Sequence, residues 1–325
     1  MKKIAVIGCG QLGSRHLQAL MKSEYAASIE VMDPSPDSLN TARERAGQIP
    51  QNPNIQEVKY YSSLEALSEQ IDLAVIATNS NIRAEIVKEL LQRKKVSNMI
   101  IEKVLFQKIR EYGEIARLLK AKKVSAWVNC PRRLYPFYQN LRDILSKEGP
   151  LSYCLQGGEW GLACNAIHFI DHVAFFNGCH DVRFDTSGLD PKILESRRKG
   201  FIELTGTIHG AFADGSRIIL HAHSGSAAPH IIGIVGKNVQ VMVDESKQKA
   251  HIARAEKNWT WEEEPFRVLY QSEMTHLAAR DILEKGKCGL TTYENSQKLH
   301  VSFIAALLKF ISKVKGEKTS VCPVT

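Results

Sequence analysis

The sequence predicts an α/β protein with a doubly wound parallel sheet in its first part and an α+β domain, with a largely antiparallel open sheet, in its second. Three observations predict this. Short apolar runs alternate with helical stretches over residues 1–129, as parallel strands joined by crossover helices do. A glycine-rich turn, Gly8-Cys9-Gly10-Gln11-Leu12-Gly13, links the first apolar run to the first helical stretch. Beyond Asn129 apolar and polar positions alternate between hairpin signals, the pattern of antiparallel strands with one solvated face. The expected domains are therefore 1–129 and 130–325.

In the first domain strands are expected over 3–7, 28–33, 55–60, 72–77, 98–102 and 124–129, and helices over 11–22, 36–46, 64–70, 82–91 and 111–122. Six strands with intervening helices make a complete dinucleotide-binding domain. The second opens with a helix over 135–146, then strands over 151–156, 201–213, 216–224, 231–235, 239–244 and 249–255. Asp214-Gly215 is a strong hairpin signal and Lys237-Asn238 a weaker one. An antiparallel meander with helices on one face is expected, interrupted by a helix over 166–176 and closed by one over 294–313.

With 325 residues, 44% of them hydrophobic and 24% charged, the chain can bury a core in each of two domains. Disordered, collagen-like and disulfide-scaffold classes are excluded. Seven cysteines without a CxxC pair argue against a disulfide framework or a zinc site, and no metal is expected. The apolar run after Met1-Lys2-Lys3 is broken by Gly8 and Gly10, and no later run approaches the roughly 18 residues of a spanning helix. The expected compartment is the cytoplasm, with no membrane partner. The net charge of +8 alone admits nucleic acid as a partner. No basic face interleaved with aromatics supports it, so none is expected.

The first motif follows a strand, opens a helix and stands twenty positions before Asp33. Gly8 serves the tight turn, Gly10 admits backbone N–H groups to a pyrophosphate, Gly13 allows close helix–strand packing, and Gln11 and Leu12 lie at the helix start. Asp33 ends the second strand, where a carboxylate accepts ribose hydroxyls and repels a 2'-phosphate, so NAD is expected ahead of NADP. Thr78 and Asn79 follow the fourth strand at the carboxyl edge, where open α/β sheets bind ligands, although Asn79 or Ser80 would also cap a helix there.

These residues resemble the glucose-fructose oxidoreductase, inositol dehydrogenase and MocA (Gfo/Idh/MocA) family of NAD(P)-dependent enzymes. The resemblance rests on the run Gly8 to His16, on Val75-Ile76-Ala77-Thr78-Asn79, on Glu102-Lys103, and on Gly161 to Gly178 with His168-x-x-Asp171. It covers essentially the whole chain and implies a Rossmann domain, a substrate that is a sugar, inositol or related polyol, and a homodimer or homotetramer formed through the open sheet. The family's Glu-Lys-Pro triplet is here Glu102-Lys103-Val104, a histidine after the Thr78 loop is replaced by Arg83, and Cys164 stands where family enzymes often carry Asp.

Oxidation of a secondary alcohol needs a group that takes the hydroxyl proton as the hydride leaves. Lys103 is the candidate, since a cationic nicotinamide disfavours its ammonium form, and the bland alternative is a lysine capping a strand. His168, expected to open its helix, would share the proton or hold the reacting oxygen. His168 and His172 lie four apart, but no further metal ligand is evident, and Asp171 is expected to orient a neighbour. Glu102 is grouped with the cofactor residues. Arg132 and Arg133 at the junction could bind an anionic substrate group or pair with a carboxylate, and one arginine is expected in each role. Trp160 and Asn165, with Glu159 and Tyr153, are candidate sugar contacts.

The closing Cys322-Pro323-Val324-Thr325 and the 129–133 junction resemble, more loosely, family members of surface-polysaccharide and nonulosonic acid biosynthesis, which implies a sugar, amino sugar or sugar nucleotide. The expected function is an NAD-dependent oxidoreductase acting on CH–OH groups of such a substrate. The alternatives are an NAD-binding sensor or regulator without catalysis, and an enzyme that uses bound NAD transiently for elimination or epimerisation.

Overall fold

The computed structural model describes residues 1–325. In chain order the first elements are β1 (Lys2–Ile7), α1 (Gly13–Leu20), β2 (Ala27–Met32), α2 (Pro36–Gly47), β3 (Ile55–Tyr61), β4 (Gln70–Ile76), α3 (Ser80–Arg93), β5 (Lys95–Glu102), α4 (Ile109–Lys122) and β6 (Ser125–Asn129). The six strands pair in parallel in the order β6-β5-β4-β1-β2-β3. Helices cover both faces, so the central strands are near-continuous apolar runs; every residue of β2 is buried. At α2, Ser35 caps the first turn by accepting the Ser38 N–H at 3.3 Å, Pro36 starts the helix and Asp37 suits its positive end.

The helix expected over 64–70 is absent. Leu64 and Leu67 are buried, but the segment turns, and Gln70 already belongs to β4. The Glu30 carboxylate explains this: it accepts the Ser68 N–H at 2.8 Å and the Ser68 hydroxyl at 2.7 Å, taking the amide that a helix would direct to residue 64.

The next elements are α5 (Pro136–Leu145), β7 (Ser152–Gly157), α6 (Leu162–Asn177), β8 (Val182–Leu189), β9 (Leu194–Glu195), β10 (Ile202–Glu203), β11 (Gly206–Phe212), β12 (Arg217–Ala222), β13 (Ile231–Val235), β14 (Val239–Asp244), β15 (Lys249–Arg254) and β16 (Trp261–Glu264). The large sheet runs β16-β15-β14-β13-β7-β12-β11-β8. Both expected hairpins form, β11–β12 at Asp214-Gly215 and β13–β14 at Lys237-Asn238. The meander is not continuous. β7 sits between its two halves, antiparallel to β13 but parallel to β12, because the chain crosses through α6 before the later strands form. The strand expected over 201–213 is two, separated at 204–205, with Gly206 at φ +96°.

Strand alternation gives this sheet a buried face, with Ile208, Ile218, Leu155, Ile234 and Val241, and an open one. Across the open face His209, Ile219, Cys154, Gly233, Met242 and His251 stand in register. Its centre is apolar, with Ile219 40% and Met242 46% exposed.

The chain then adds α7 (Thr275–Lys285), β17 (Thr291–Thr292), antiparallel to β6, and α8 (Tyr293–Lys315). Two compact units result: Met1–Phe106, Arg110–Pro131 and Leu269–Tyr293 form one, and Gln107–Ile109, Arg132–Val268 and Glu294–Thr325 the other. Where a single boundary at 129 assigns Leu269–Tyr293 to the second domain, the structure returns that segment to the first, with Thr275 hydrogen-bonded to His16 and Thr291 paired with Val128. No helix is long and apolar enough to cross a membrane.

Candidate functional site

In the first unit the carboxyl ends of β1, β2, β4 and β5 carry the expected residues. Gly8 has φ +83°, and a Cβ there would lie 2.8 Å from the Thr78 amide nitrogen; at Gly13 it would lie 1.8 Å from the Gly8 carbonyl oxygen. At Gly10 the nearest atom, Ser38 Oγ, is 4.0 Å away, so only this glycine of the three faces open space. That open space could take a pyrophosphate, and a side chain at position 10 would fill it. Leu12 occupies the N-cap of α1 without a side-chain cap, and no acidic residue lies in the first turn, so the positive end of the helix is left for an anion. Arg45 braces this turn, donating to the Gln11 carbonyl at 2.7 Å, the Ser14 hydroxyl at 2.6 Å and the Gln11 side-chain oxygen.

Asp33 accepts the Cys9 N–H at 2.8 Å and the Ser35 N–H at 2.9 Å, which fixes its carboxylate at the end of β2. Burial, with the Asp33 charge second, pushes the Cys9 thiol up to about 12, so Cys9 stays neutral. Thr78 keeps its hydroxyl buried without a hydrogen-bond partner beside Gly8. Asn79 stands at the N-cap of α3, exposed, and its side chain makes no cap bond. The open space, the bare helix end and the fixed carboxylate together fit a dinucleotide.

Glu102 lies deeper than a cofactor contact would. Its side chain is 3% exposed; it pairs with His16 Nε2 at 2.9 Å and accepts from Asn129. Burial alone would raise its pKa, but the His16 bond and charge, then Asn129 and the Lys103 charge, hold it below the ordinary carboxylate value. His16 Nδ1 meets the Thr275 hydroxyl at 2.8 Å, and Asn129 reaches Gln271 at 2.8 Å. Lys103 is half-buried between buried Glu102 and buried Val104, and its peptide to Val104 is cis. His16, Thr275, Gln271 and Asn129 were not expected as site residues. Of these, His16 lies in the motif run and Asn129 in the 129–133 junction, while Gln271 and Thr275 come from a segment distant in sequence.

In the second unit α6 starts at Leu162, four residues earlier than expected, so His168 lies in its second turn and does not open it. Gly161 at φ +85° provides the entry, and the Glu203 carboxylate accepts the Ala163 N–H at 2.9 Å and the Cys164 N–H at 3.2 Å, which caps the helix from outside its own sequence. From Leu162 to Phe176 only Asn165 and His168 escape burial, and their i, i+3 spacing sets them on one face. Asn165 donates to the Trp160 carbonyl at 3.0 Å. Trp160 donates its indole N–H to the His221 carbonyl at 2.8 Å and packs edge-on against Phe169. Glu159 holds the Gly225 N–H. Cys164 is buried, with its thiol 3.7 Å from the Ile202 carbonyl.

Both arginines bind carboxylates, and neither divides the roles as expected. Arg132 forks onto Glu245 at 2.9 and 2.6 Å and lies over the Phe169 ring; Arg133 forks onto Asp171 at 2.6 and 2.8 Å. All four residues belong to the second unit. Burial opposes the Arg132 charge, but Glu245 outweighs it and raises the guanidinium pKa. Asp171 thus orients a neighbour. Tyr153 and His172 are core residues rather than surface contacts: they meet at 3.1 Å, and His172 packs on Tyr138 and Phe176. No group of three or more His, Cys, Asp or Glu side chains is placed to hold a metal ion.

Residues 2–130 match the Gfo/Idh/MocA family profile, described as an oxidoreductase family with an NAD-binding Rossmann fold. No curated protein sequence matches the chain. Among solved structures, an oxidoreductase from Agrobacterium radiobacter, in complex with NAD+, L-tartaric acid and magnesium, is similar at TM-score 0.72 and 16% identity, covering 98% of each chain. UDP-N-acetylglucosamine 3-dehydrogenase GnnA from Acidithiobacillus ferrooxidans is similar at TM-score 0.69 and 15% identity, over 94% of this chain and 96% of that one. A super-repressor mutant of Gal80p from Saccharomyces cerevisiae is similar at TM-score 0.72 and 13% identity, over 99% of this chain and 98% of that one. Residues 2–130 thus carry the NAD-binding Rossmann fold of the Gfo/Idh/MocA oxidoreductase family.

Proposed function

We propose that the protein is an NAD-dependent oxidoreductase that converts a CH–OH group of a sugar, amino sugar or sugar nucleotide to the ketone, or the reverse. The observation that carries this reading is Lys103, a half-buried lysine at the carboxyl end of β5 between buried Glu102 and buried Val104. NAD, when bound, supplies the hydride acceptor. Gly8, Gly10, Gln11, Leu12 and Gly13 hold its phosphates, Asp33 its adenosine ribose, and the Thr78-Asn79 loop its nicotinamide side. Lys103, as the neutral amine favoured beside a cationic nicotinamide, takes the hydroxyl proton at Nζ during oxidation, and as the ammonium returns it during reduction. His168 hydrogen-bonds the reacting oxygen, and Asn165 and Trp160 receive the sugar through its hydroxyls and C–H face.

With Arg132 and Arg133 each on a carboxylate, the second unit is read as receiving a neutral, hydroxyl-bearing part of the substrate. The similarity to GnnA, whose name specifies a sugar nucleotide, supports this substrate class. The open sheet face with Ile219 and Met242 is where a second copy would pack into a homodimer or homotetramer. A sedimentation mass equal to one 36.4 kDa chain would count against that assembly.

The test is NADH formation from NAD with a panel of free sugars, amino sugars and sugar nucleotides, followed by Lys103→Ala with the best substrate. The expected loss is about 10²–10⁴-fold in turnover with NADH binding retained. Turnover at the parent rate by Lys103→Ala contradicts the assignment. A second reading, an NAD-binding regulator, is favoured by Cys164, whose buried thiol supplies no carboxylate, and by the likeness to Gal80p. NADH binding without turnover of any panel member would favour it.

A further inference from the structure

Arg83 is among the largest fully buried side chains of the protein, 2% exposed on α3. A buried guanidinium is always charged and needs acceptors in the fixed directions of its planar fork. Here they are backbone carbonyls from two loops. One terminal nitrogen donates to the Thr78 carbonyl, and the other to those of Val104 and, at 3.1 Å, Leu105.

The two loops carry different parts of the proposed chemistry. Thr78 lies against the glycine turn, since a Cβ on Gly8 would meet its amide nitrogen at 2.8 Å. Val104 directly follows Lys103. On the other side of Lys103, Glu102 is held by His16 and Asn129. The lysine therefore stands between two buried anchors. One reaches α1 and β6, and the other is Arg83, which also binds the loop beside the dinucleotide turn.

We propose that Arg83 is a positioning residue: one guanidinium locks the main chain after Lys103 to the Thr78 loop and so fixes Lys103 relative to the bound nicotinamide. The inference rests on the proposed role of Lys103. An ammonium at position 83 keeps the charge but has no planar fork to span both loops. Displacement of a reacting group by about 1 Å costs on the order of 10²-fold in rate, so a loosened clamp is readable without global unfolding.

The experiment uses the full chain with Arg83→Lys and Arg83→Gln. Thermal unfolding checks the fold. NADH affinity is measured by fluorescence titration. Labelling of Lys103 by pyridoxal phosphate with borohydride trapping, with and without saturating NADH, is scored by peptide mass spectrometry against exposed Lys59 as an internal standard. In the parent, NADH protects Lys103. Both variants are expected to unfold cooperatively, to bind NADH more weakly because the Thr78 loop loses its tie, and to lose most of the Lys103 protection under NADH saturation, with Lys59 labelling unchanged. Parent-like affinity and parent-like protection in Arg83→Lys would overturn the clamp. Failure of both variants to fold would also overturn it, because Arg83 would then be a folding residue. If the parent itself binds no NADH, the proposed function fails, and the clamp is judged on NADH-free Lys103 labelling alone: a change in Arg83→Lys supports it and no change overturns it.

Discussion

Glu245 and His172 show how single side chains set the conditions under which the second unit is stable. Burial alone would raise the Glu245 pKa, yet the Arg132 charge and then His230 hold it far below the ordinary carboxylate value. Tyr138 adds a hydrogen bond at 2.9 Å. Removing one partner of a buried pair leaves the other charge uncompensated, so Glu245→Ala should cost about 3–5 kcal/mol in urea unfolding, and Arg132→Met with Glu245→Leu should recover most of it. A single variant within about 0.5 kcal/mol of the parent would contradict the pairing.

The pH dependence has one sign at both residues. Burial, followed by the Arg132 charge, lowers the His172 pKa well below its ordinary value. The unfolded chain then binds the proton more readily, and stability is lost as pH falls from the unfolded value of about 6.5. The Glu245 contribution is intact above its unfolded value of about 4.3 and is lost as pH falls from there through its lower folded value. Urea midpoints should therefore drop between pH 8 and 5.5, and the drop should shrink in His172→Gln. An equal drop in that variant would rule out His172 as its source.

Among the elements, the β1–α1 turn separates two kinds of glycine. Ala at 13 would drive a Cβ to 1.8 Å from a backbone carbonyl, so Gly13→Ala should cost about 3 kcal/mol or more. Ala at 10 has room, with nothing nearer than 4.0 Å. Gly10→Ala should fold within about 1 kcal/mol of the parent yet bind NADH at least about tenfold more weakly, because the methyl occupies the phosphate space. Chemical unfolding and NADH titration of the two variants check this, and equal effects on both readouts would contradict it.

The same elements show what the sequence reveals. β13 and β14 have the ends that alternation predicts, since each strand has one buried and one open face. β8 gives little sequence signal, since its edge position leaves polar residues such as Arg183, Asp185 and Ser187 facing out. α7 was missed because the small residues Thr275, Ala278 and Ala279, with Ile282, make up its buried face and give little apolar signal. Local pattern favours a helix over 64–70, and the Glu30 side chain that overrides it lies 38 positions from Ser68. The glycine turn and Asp33 are legible because local spacing defines them, whereas Lys103 is singled out by the resemblance of Glu102-Lys103-Val104 to the family's triplet. The partners that hold Glu102 and Arg132 are not legible, because only the tertiary fold brings them near.

At the scale of the whole molecule, each unit carries candidate site residues of its own. The first unit carries the NAD-binding Rossmann fold with Asp33 and Lys103 at its carboxyl edge, and the second carries Asn165, His168 and Trp160 around the start of α6. Part of the net charge of +8 is placed by the structure: Arg83 binds carbonyls and Arg45 braces the β1–α1 turn without a carboxylate partner among these contacts, whereas Arg132 and Arg133 are balanced by buried carboxylates. These cations serve the interior and the cofactor turn and do not form an open basic face. The central claim is that this architecture holds NAD for chemistry at Lys103, and its most direct test is fluorescence titration of the parent protein with NADH and NADPH at one ionic strength. The account predicts saturable NADH binding in the range of about 1 μM to 1 mM, with NADPH at least about tenfold weaker because the Asp33 carboxylate repels the 2'-phosphate. Absence of NADH binding, or tighter binding of NADPH, would contradict it.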